Sequence, residues 1–149
     1  MNNARVVSQV TLEYTPSAIF QHGSFLAVFG TQYGYNYKNV NYASSGYTFI
    51  KIYNIANKAN PFLVREYQFL GNYFNARKLN SGFVYIISNY FFTRNIIPWC
   101  DWGSGKVDVW FGNIYRYPVT YVQVQGINIL SFNLGNPLNG GRKIISICA

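Results

Sequence analysis

Apolar and polar residues alternate along this chain in short runs, and clusters of turn-forming residues separate the runs. Residues 6–13 read Val-Val-Ser-Gln-Val-Thr-Leu-Glu, β-branched and mostly alternating, which suits a half-buried strand. Residues 17–21 and 25–29 flank His22-Gly23-Ser24, a short hairpin turn. Residues 47–55 alternate again and run into a turn cluster closed by Pro61. Further strands are predicted over 62–70, 73–79, 83–88, 120–134 and 142–148, with turns at Asn80-Ser81-Gly82 and 135–141. The Tyr-, Asn- and Gly-rich stretch 30–46 reads as a loop too interrupted to hold an element. Residues 91–117, broken by Pro98, Gly103, Gly105 and Gly112, read as a long irregular insertion. No segment sustains i, i+3, i+4 apolar spacing without Gly or Pro, so the pattern predicts an all-β chain.

The runs recur. Ala18 and Phe25 stand the same interval apart from Ala76 and Phe83, each pair flanking a matched turn. Upstream, Val6-Val7-Ser8-Gln9 parallels Leu63-Val64-Arg65-Glu66 with one residue absorbed between. Downstream, Tyr53-Asn54-Ile55 returns as Phe132-Asn133-Leu134, and the insertion at 91–117 accounts for the longer interval. A single domain, 1–149, therefore divides into unit one, about 6–61, and unit two, about 62–149. Each unit offers an outer strand, a hairpin and a third strand after a long loop. Four-stranded antiparallel units repeated this way are blades of a β-propeller-like architecture, here about two of them.

The stretch from Tyr53-Asn54-Ile55 through Asn60-Pro61 and Leu63-Val64-Arg65-Glu66 carries a more specific likeness. With Gly71-Asn72-Tyr73-Phe74, Arg77 and Val84-Tyr85-Ile86-Ile87, it resembles the secreted β-propeller C-terminal domain family of prokaryotes, largely archaeal. The likeness covers 6–88. It departs at Asn54, where the family often has Asp, and at Asn75-Ala76, where Ser commonly precedes the Arg. The resemblance implies a propeller fold and a place outside the cell or at its surface. Family members run to several blades. Two blades cannot close a ring, so a piece of a longer chain, or a unit that completes itself by association, is expected.

Composition narrows the function classes. Half of the 149 residues are hydrophobic, 19% aromatic and only 11% charged, so tyrosine hydroxyls and amides meet water more often than ions do. The net charge of +8 invites a nucleic-acid reading, but the 12 Lys and Arg are scattered and no run exceeds two. A solvated basic surface explains them, and no nucleic-acid partner is expected. No apolar run reaches membrane-span length, so the chain is not read as membrane-spanning. The N-terminus has no apolar leader, which places any export signal on a longer parent. No Asn-x-Ser/Thr sequon occurs. Cys100 and Cys148 could pair if the chain is extracellular, or stand as free buried thiols; two thiols make no zinc site.

Tests for catalysis mostly fail. Glu13 and Glu66 sit on the repeated outer strands, where a charge blunts an edge. Asp101 and Asp108 share the insertion and are the one candidate carboxylate pair for a hydrolase or a cation. His22 occupies a turn whose repeat partner is Asn80, so a turn role is expected rather than metal binding. Gly103-Ser104-Gly105-Lys106 lacks the pattern of a phosphate loop. No enzyme activity, metal or cofactor is expected. The two loops remain, with Tyr35, Tyr37 and Tyr42 in one and Trp99, Trp102, Trp110 and Tyr115 in the other. Tyr and Trp offer large rigid contact area with a polar tip, which suits a protein or carbohydrate surface. The expected role is a non-enzymatic extracellular binding or scaffolding module, or a self-associating structural subunit. Val28, Ile50, Ile52, Val84, Ile86 and Ile129 are expected to face the core, some on blade faces left open by missing neighbours. The segments 6–13 and 142–148 are expected as open strand edges.

Overall fold

The alternation is realised as strands throughout. The computed structural model describes residues 4–33, 36–37, 40–41, 46–92, 99–101, 106–108, 114–116, 124–138 and 143–148. Among them the strands are β1 (Pro16–His22), β2 (Phe25–Gln32), β3 (Asn36–Tyr37), β4 (Val40–Asn41), β5 (Tyr47–Asn54), β6 (Phe62–Leu70), β7 (Asn72–Lys78), β8 (Phe83–Phe92), β9 (Trp99–Asp101), β10 (Lys106–Asp108), β11 (Ile114–Arg116), β12 (Val124–Asn133) and β13 (Lys143–Cys148). No helix occurs among the described residues.

Two four-stranded antiparallel sheets form the body, β1-β2-β5-β6 and β7-β8-β12-β13. The β9–β10 hairpin extends the first sheet beyond β6, and β11 joins the second in parallel beyond β13. The sheets are offset from the sequence units by one strand. Phe62–Leu70, which opens the second unit of the repeat, pairs with β5 and closes the first sheet.

The repeat extends to single hydrogen bonds. The Ile55 amide donates to the Ser24 carbonyl at 2.8 Å, and the Leu134 amide donates to the Gly82 carbonyl at 2.8 Å. Asn54 Oδ1 accepts from the Ala56 amide at 2.9 Å, and Asn133 Oδ1 accepts from the Gly135 amide at 2.8 Å. These are matching Asx-turns, so Asn serves at position 54 as an Asp would.

Three expectations are corrected. Residues 6–13 form no strand, because their backbone joins no ladder of either sheet. They run as a strap over the first sheet, with Tyr14 against Phe49 at 5.7 Å between ring centroids and Ser8 Oγ donating to the Lys58 carbonyl at 2.6 Å. The two stretches read as irregular carry short strands: β3 and β4 in one, β9, β10 and β11 in the other. The last strand is an open edge over only part of its length, because β11 lies along residues 146–148 from Ile114↔Ser146 to Arg116↔Cys148.

Strand parity gives each sheet a leading and a trailing face. The leading face of the first sheet, built on Ala27, Phe29, Ile50, Ile52, Tyr67 and Phe69, packs on the trailing face of the second, built on Val84, Ile86, Leu130, Phe132 and Ile144. Tyr67 meets Phe132 edge-to-face at 5.8 Å, and its hydroxyl donates to the Pro137 carbonyl at 2.8 Å. Each large side chain buried in such a core contributes about 1.5–3 kcal/mol relative to exposure. Val28, Ile50, Ile52, Val84 and Ile86 are buried, while Ile129 is half-buried on the leading face of the second sheet. That face points away from the first sheet.

Candidate functional site

Strand direction sorts the connections to two ends. At one end lie the connections from β1 into β2, β5 into β6, β7 into β8 and β12 into β13. At the other, both long aromatic loops emerge, from β2 into β5 and from β8 into β12, beside the step from β6 into β7. This loop end is the candidate site.

Its base is a buried polar latch around Leu70-Gly71-Asn72. The Leu70 carbonyl accepts from Ser88 Oγ at 2.9 Å and from Asn128 Nδ2 at 2.6 Å. Thr48 Oγ1 donates to the Gly71 carbonyl at 2.8 Å, and the Gly71 amide donates to the Gly46 carbonyl at 3.0 Å. Asn72 Oδ1 accepts from the Gly46 amide, and Thr31 Oγ1 accepts from the Tyr73 amide, both at 2.8 Å. Donors from β5, β8 and β12 thus converge on the few residues that carry the chain from one sheet to the other. Thr48, Ser88 and Asn128 are fully buried, and each spends its polar group there. Gly71 has φ +104°, and a Cβ on it would stand 2.8 Å from the Asn89 carbonyl oxygen, so glycine is required twice over.

A second network supports the first loop. The Tyr47 hydroxyl donates to Gln32 Oε1 where β2 and β5 leave the sheet, and the Tyr14 hydroxyl donates to Glu13 Oε1 at 2.8 Å. Burial, followed by the neighbouring Tyr14, Glu13 and Glu66, pushes the Tyr47 hydroxyl well above the usual tyrosine range. Burial also raises Tyr73, and burial with Glu66 raises Tyr53. Tyr47 is therefore a fixed donor at neutral pH. It orients the root of the loop rather than exchanging a proton.

The sequence candidates fall as follows. Tyr37 stands in β3 opposite Val40, Trp99 in β9 opposite Asp108, and Tyr115 in β11 opposite Ile147. Tyr35, Tyr42, Trp102 and Trp110 lie outside the described residues. Backbone register puts Asp101 opposite Lys106 and Gln68, two ladder steps from the Asp108–Trp99 pair. Cys100 lies in the first sheet opposite Phe69 and Val107, and Cys148 in the second opposite Gly126 and Arg116. Exposed Tyr33 and Phe91 mark where the two loops leave their strands. His22 belongs to the opposite end. A Cβ on Gly82, whose φ is +87°, would stand 2.9 Å from its ring, so His22 packs between the turns of the two sheets. No cluster of three or more metal-ligating side chains occurs among the described residues.

A cleft of about 330 Å³ also lies away from the loops, lined by Val6, Val7, Ser8, Gln21, Ile55 and Lys58. Its lining holds a single ionisable group, Lys58, which supplies neither an acid–base pair nor a nucleophile with its base. The latch residues went unread in the sequence. Their signal was present: Thr48, Ser88 and Asn128 are polar residues at core parity in otherwise apolar strands.

Two stacked four-stranded antiparallel sheets, repeating down to matched hydrogen bonds, are what a family match has to explain. A family model described as a beta propeller domain matches residues 1–141. The chain belongs to that family. Searches of curated proteins and of solved structures return no match. In this propeller chain the two sheets are consecutive blades, the latch is the inter-blade step, and both aromatic loops leave their strands at the same end.

Proposed function

We propose that this propeller chain is a non-enzymatic binding and scaffolding module that works outside the cell or at its surface. The observation that carries the proposal is the emergence of both aromatic loops from one end of two blades locked by a buried latch. A rigid base holding Tyr- and Trp-rich loops suits recognition of a protein or carbohydrate surface, because anchored aromatics lose little entropy on contact. The extracellular setting draws support from the resemblance to secreted, largely archaeal propellers and from the scarcity of charge. Self-association, or membership of a larger propeller, belongs to the same reading.

The test is calorimetry and tryptophan fluorescence against a panel of soluble polysaccharides and cell-envelope proteins. Trp99→Ala, Trp102→Ala and Trp110→Ala should each lower affinity, by roughly 10-fold or more for a central anchor, with an unchanged thermal transition. Unaltered binding in all three would refute the loop assignment. The hydrolase reading is tested on the same protein. Asp101→Asn with Asp108→Asn should leave binding intact, and glycan or peptide turnover abolished by the pair would refute the non-enzymatic assignment.

A further inference from the structure

Arg65 is a cation that the fold leaves without an anion. It stands on β6 two residues before Tyr67 and opposite Ile52, and so shares the leading face that packs on the second sheet. The side chain is half-buried, and its Nε is the one buried side-chain nitrogen or oxygen among the described residues that has no hydrogen-bond partner. The neighbouring Tyr67 hydroxyl donates to the Pro137 carbonyl, so the turn that follows β12 lies against this stretch of β6. Arg65 therefore sits in the seam between the two sheets, towards the end opposite the aromatic loops. A buried N–H ordinarily finds an acceptor, and a guanidinium drawn from water without one is costly.

The chain has no carboxylate to give it. Of the four acids, Glu66 follows Arg65 directly in β6 and so lies on the other face, where it pairs with Lys51 at 3.9 Å. Glu13 accepts from the Tyr14 hydroxyl on the strap. Asp101 stands opposite Gln68 and Asp108 opposite Trp99, which are register positions of the trailing face near the loop end. The strands β7, β8, β12 and β13 contain no acid, so none faces Arg65 across the seam. The position also recurs. The interval that carries Tyr53 to Phe132 carries Ile52 to Ser131, and Lys143 stands opposite Ser131 as Arg65 stands opposite Ile52. A base thus occupies one place of the repeat in both sheets.

We propose that the seam holds an external oxyanion, a carboxylate or sulfate group, on the guanidinium of Arg65. The edge formed by Nε and the adjoining Nη is the side of a guanidinium that takes two oxygens of such a group in parallel hydrogen bonds. One group then supplies both the acceptor that Nε lacks and the charge that the chain lacks there. Partial burial strengthens the pair over one made by a base on the open surface, because fewer waters screen it. The part of the side chain left in water gives a small group its way in. This site lies apart from the aromatic loops, so it stands or falls independently of the recognition proposed for them.

The experiment is nitrogen–proton NMR of the 149-residue chain, in which arginine Nε–H groups give their own signals and Arg65→Met identifies that of Arg65 by its loss. Sodium acetate and sodium sulfate are titrated separately at constant ionic strength, with sodium chloride as the reference. The Arg65 signal should move saturably with one or both anions, while those of the exposed Arg5 and Arg77 follow the chloride reference. A larger response to acetate assigns a planar carboxylate, and a larger response to sulfate a tetrahedral group. Thermal unfolding supplies the second readout. Arg65→Met keeps the aliphatic packing and removes the unpaired charge, so in chloride it should melt at or above the wild type. Saturating anion should then raise the melting temperature of the wild type more than that of the variant. Should Arg65→Met fail to fold, Arg65→Lys, which keeps the charge and loses the fork, takes its place in both measurements. An Arg65 signal that neither anion moves beyond the chloride reference overturns the proposal. An equal rise in melting temperature in wild type and variant overturns it too, because that is the general effect of an excluded salt.

Discussion

Single residues decide where the chain turns from one blade to the next. Leu70 presents one buried carbonyl to two donors, Ser88 and Asn128, on neighbouring strands. Removing one donor loses a buried hydrogen bond while the other still satisfies the carbonyl, which costs about 0.5–1.5 kcal/mol. Asn128→Ala should therefore destabilise by about that much in urea unfolding, without changing far-UV circular dichroism at low denaturant. Gly71→Ala should cost at least as much, because a Cβ both opposes φ +104° and strikes the Asn89 carbonyl oxygen. Tyr47 gives a pH signature. Its folded pKa lies above the ordinary value of 10.0, so below pH 10 both folded and unfolded forms are protonated and its contribution is constant. Above pH 10 the unfolded chain ionises while the folded hydroxyl cannot, and stability falls as pH rises. Tyr47→Phe should lessen that alkaline decline, which the raised Tyr53 and Tyr73 share, and cost about 0.5–1.5 kcal/mol at neutral pH through the lost bond to Gln32. Denaturant midpoints across pH 8–12 measure both effects.

At the scale of elements, most of the strands were legible because period-2 alternation and turn chemistry agree, as in 47–55, where Asn54 ends the run by capping its own turn. What was not legible depends on pairing rather than pattern. Residues 6–13 alternate like Phe62–Leu70, yet one forms no strand and the other does, because only the latter lies along β5. The hairpin Trp99–Asp101 with Lys106–Asp108 was hidden for the converse reason. Short strands among Gly and Pro carry little pattern, and their order comes from docking on β6 at Gln68 and Phe69. The candidate loops were legible as aromatic-rich, but their shared end follows from strand direction. The strap carries its own prediction. Tyr14 covers Phe49, and an aromatic pair contributes about 0.5–1.5 kcal/mol beyond the area it buries. Tyr14→Ala should lower the melting temperature and raise binding of a hydrophobic dye as Phe49 is uncovered. A variant that melts like the wild type without added dye binding would show that the strap does not seal that face.

The whole molecule is tied by a chain path that crosses between its sheets more than once. The step at Gly71 carries the chain from the first sheet to the second, and the insertion after β8 returns to add a hairpin to the first sheet at β6. The same insertion then contributes β11 to the second sheet beside β13, before the chain enters β12. Neither sheet owns all its strands in one continuous stretch, and the two share one core of fully buried side chains. Separate unfolding of one sheet would expose that core and strand the latch donors, so the sheets should unfold together. The three tryptophans report on this directly, because Trp99, Trp102 and Trp110 all lie in the insertion, while far-UV circular dichroism reports on both sheets. Thermal and urea transitions followed by tryptophan emission and by circular dichroism should coincide in midpoint and width. An emission change well before the loss of circular dichroism would mean that the insertion is an independent lobe resting on the blades. It would then present the aromatic loop on a mobile arm, and the rigid base proposed for recognition would be lost. Coincident transitions that both shift in Asn128→Ala would place the latch and the loop in one cooperative unit, as the convergence of β5, β8 and β12 on Leu70-Gly71 requires.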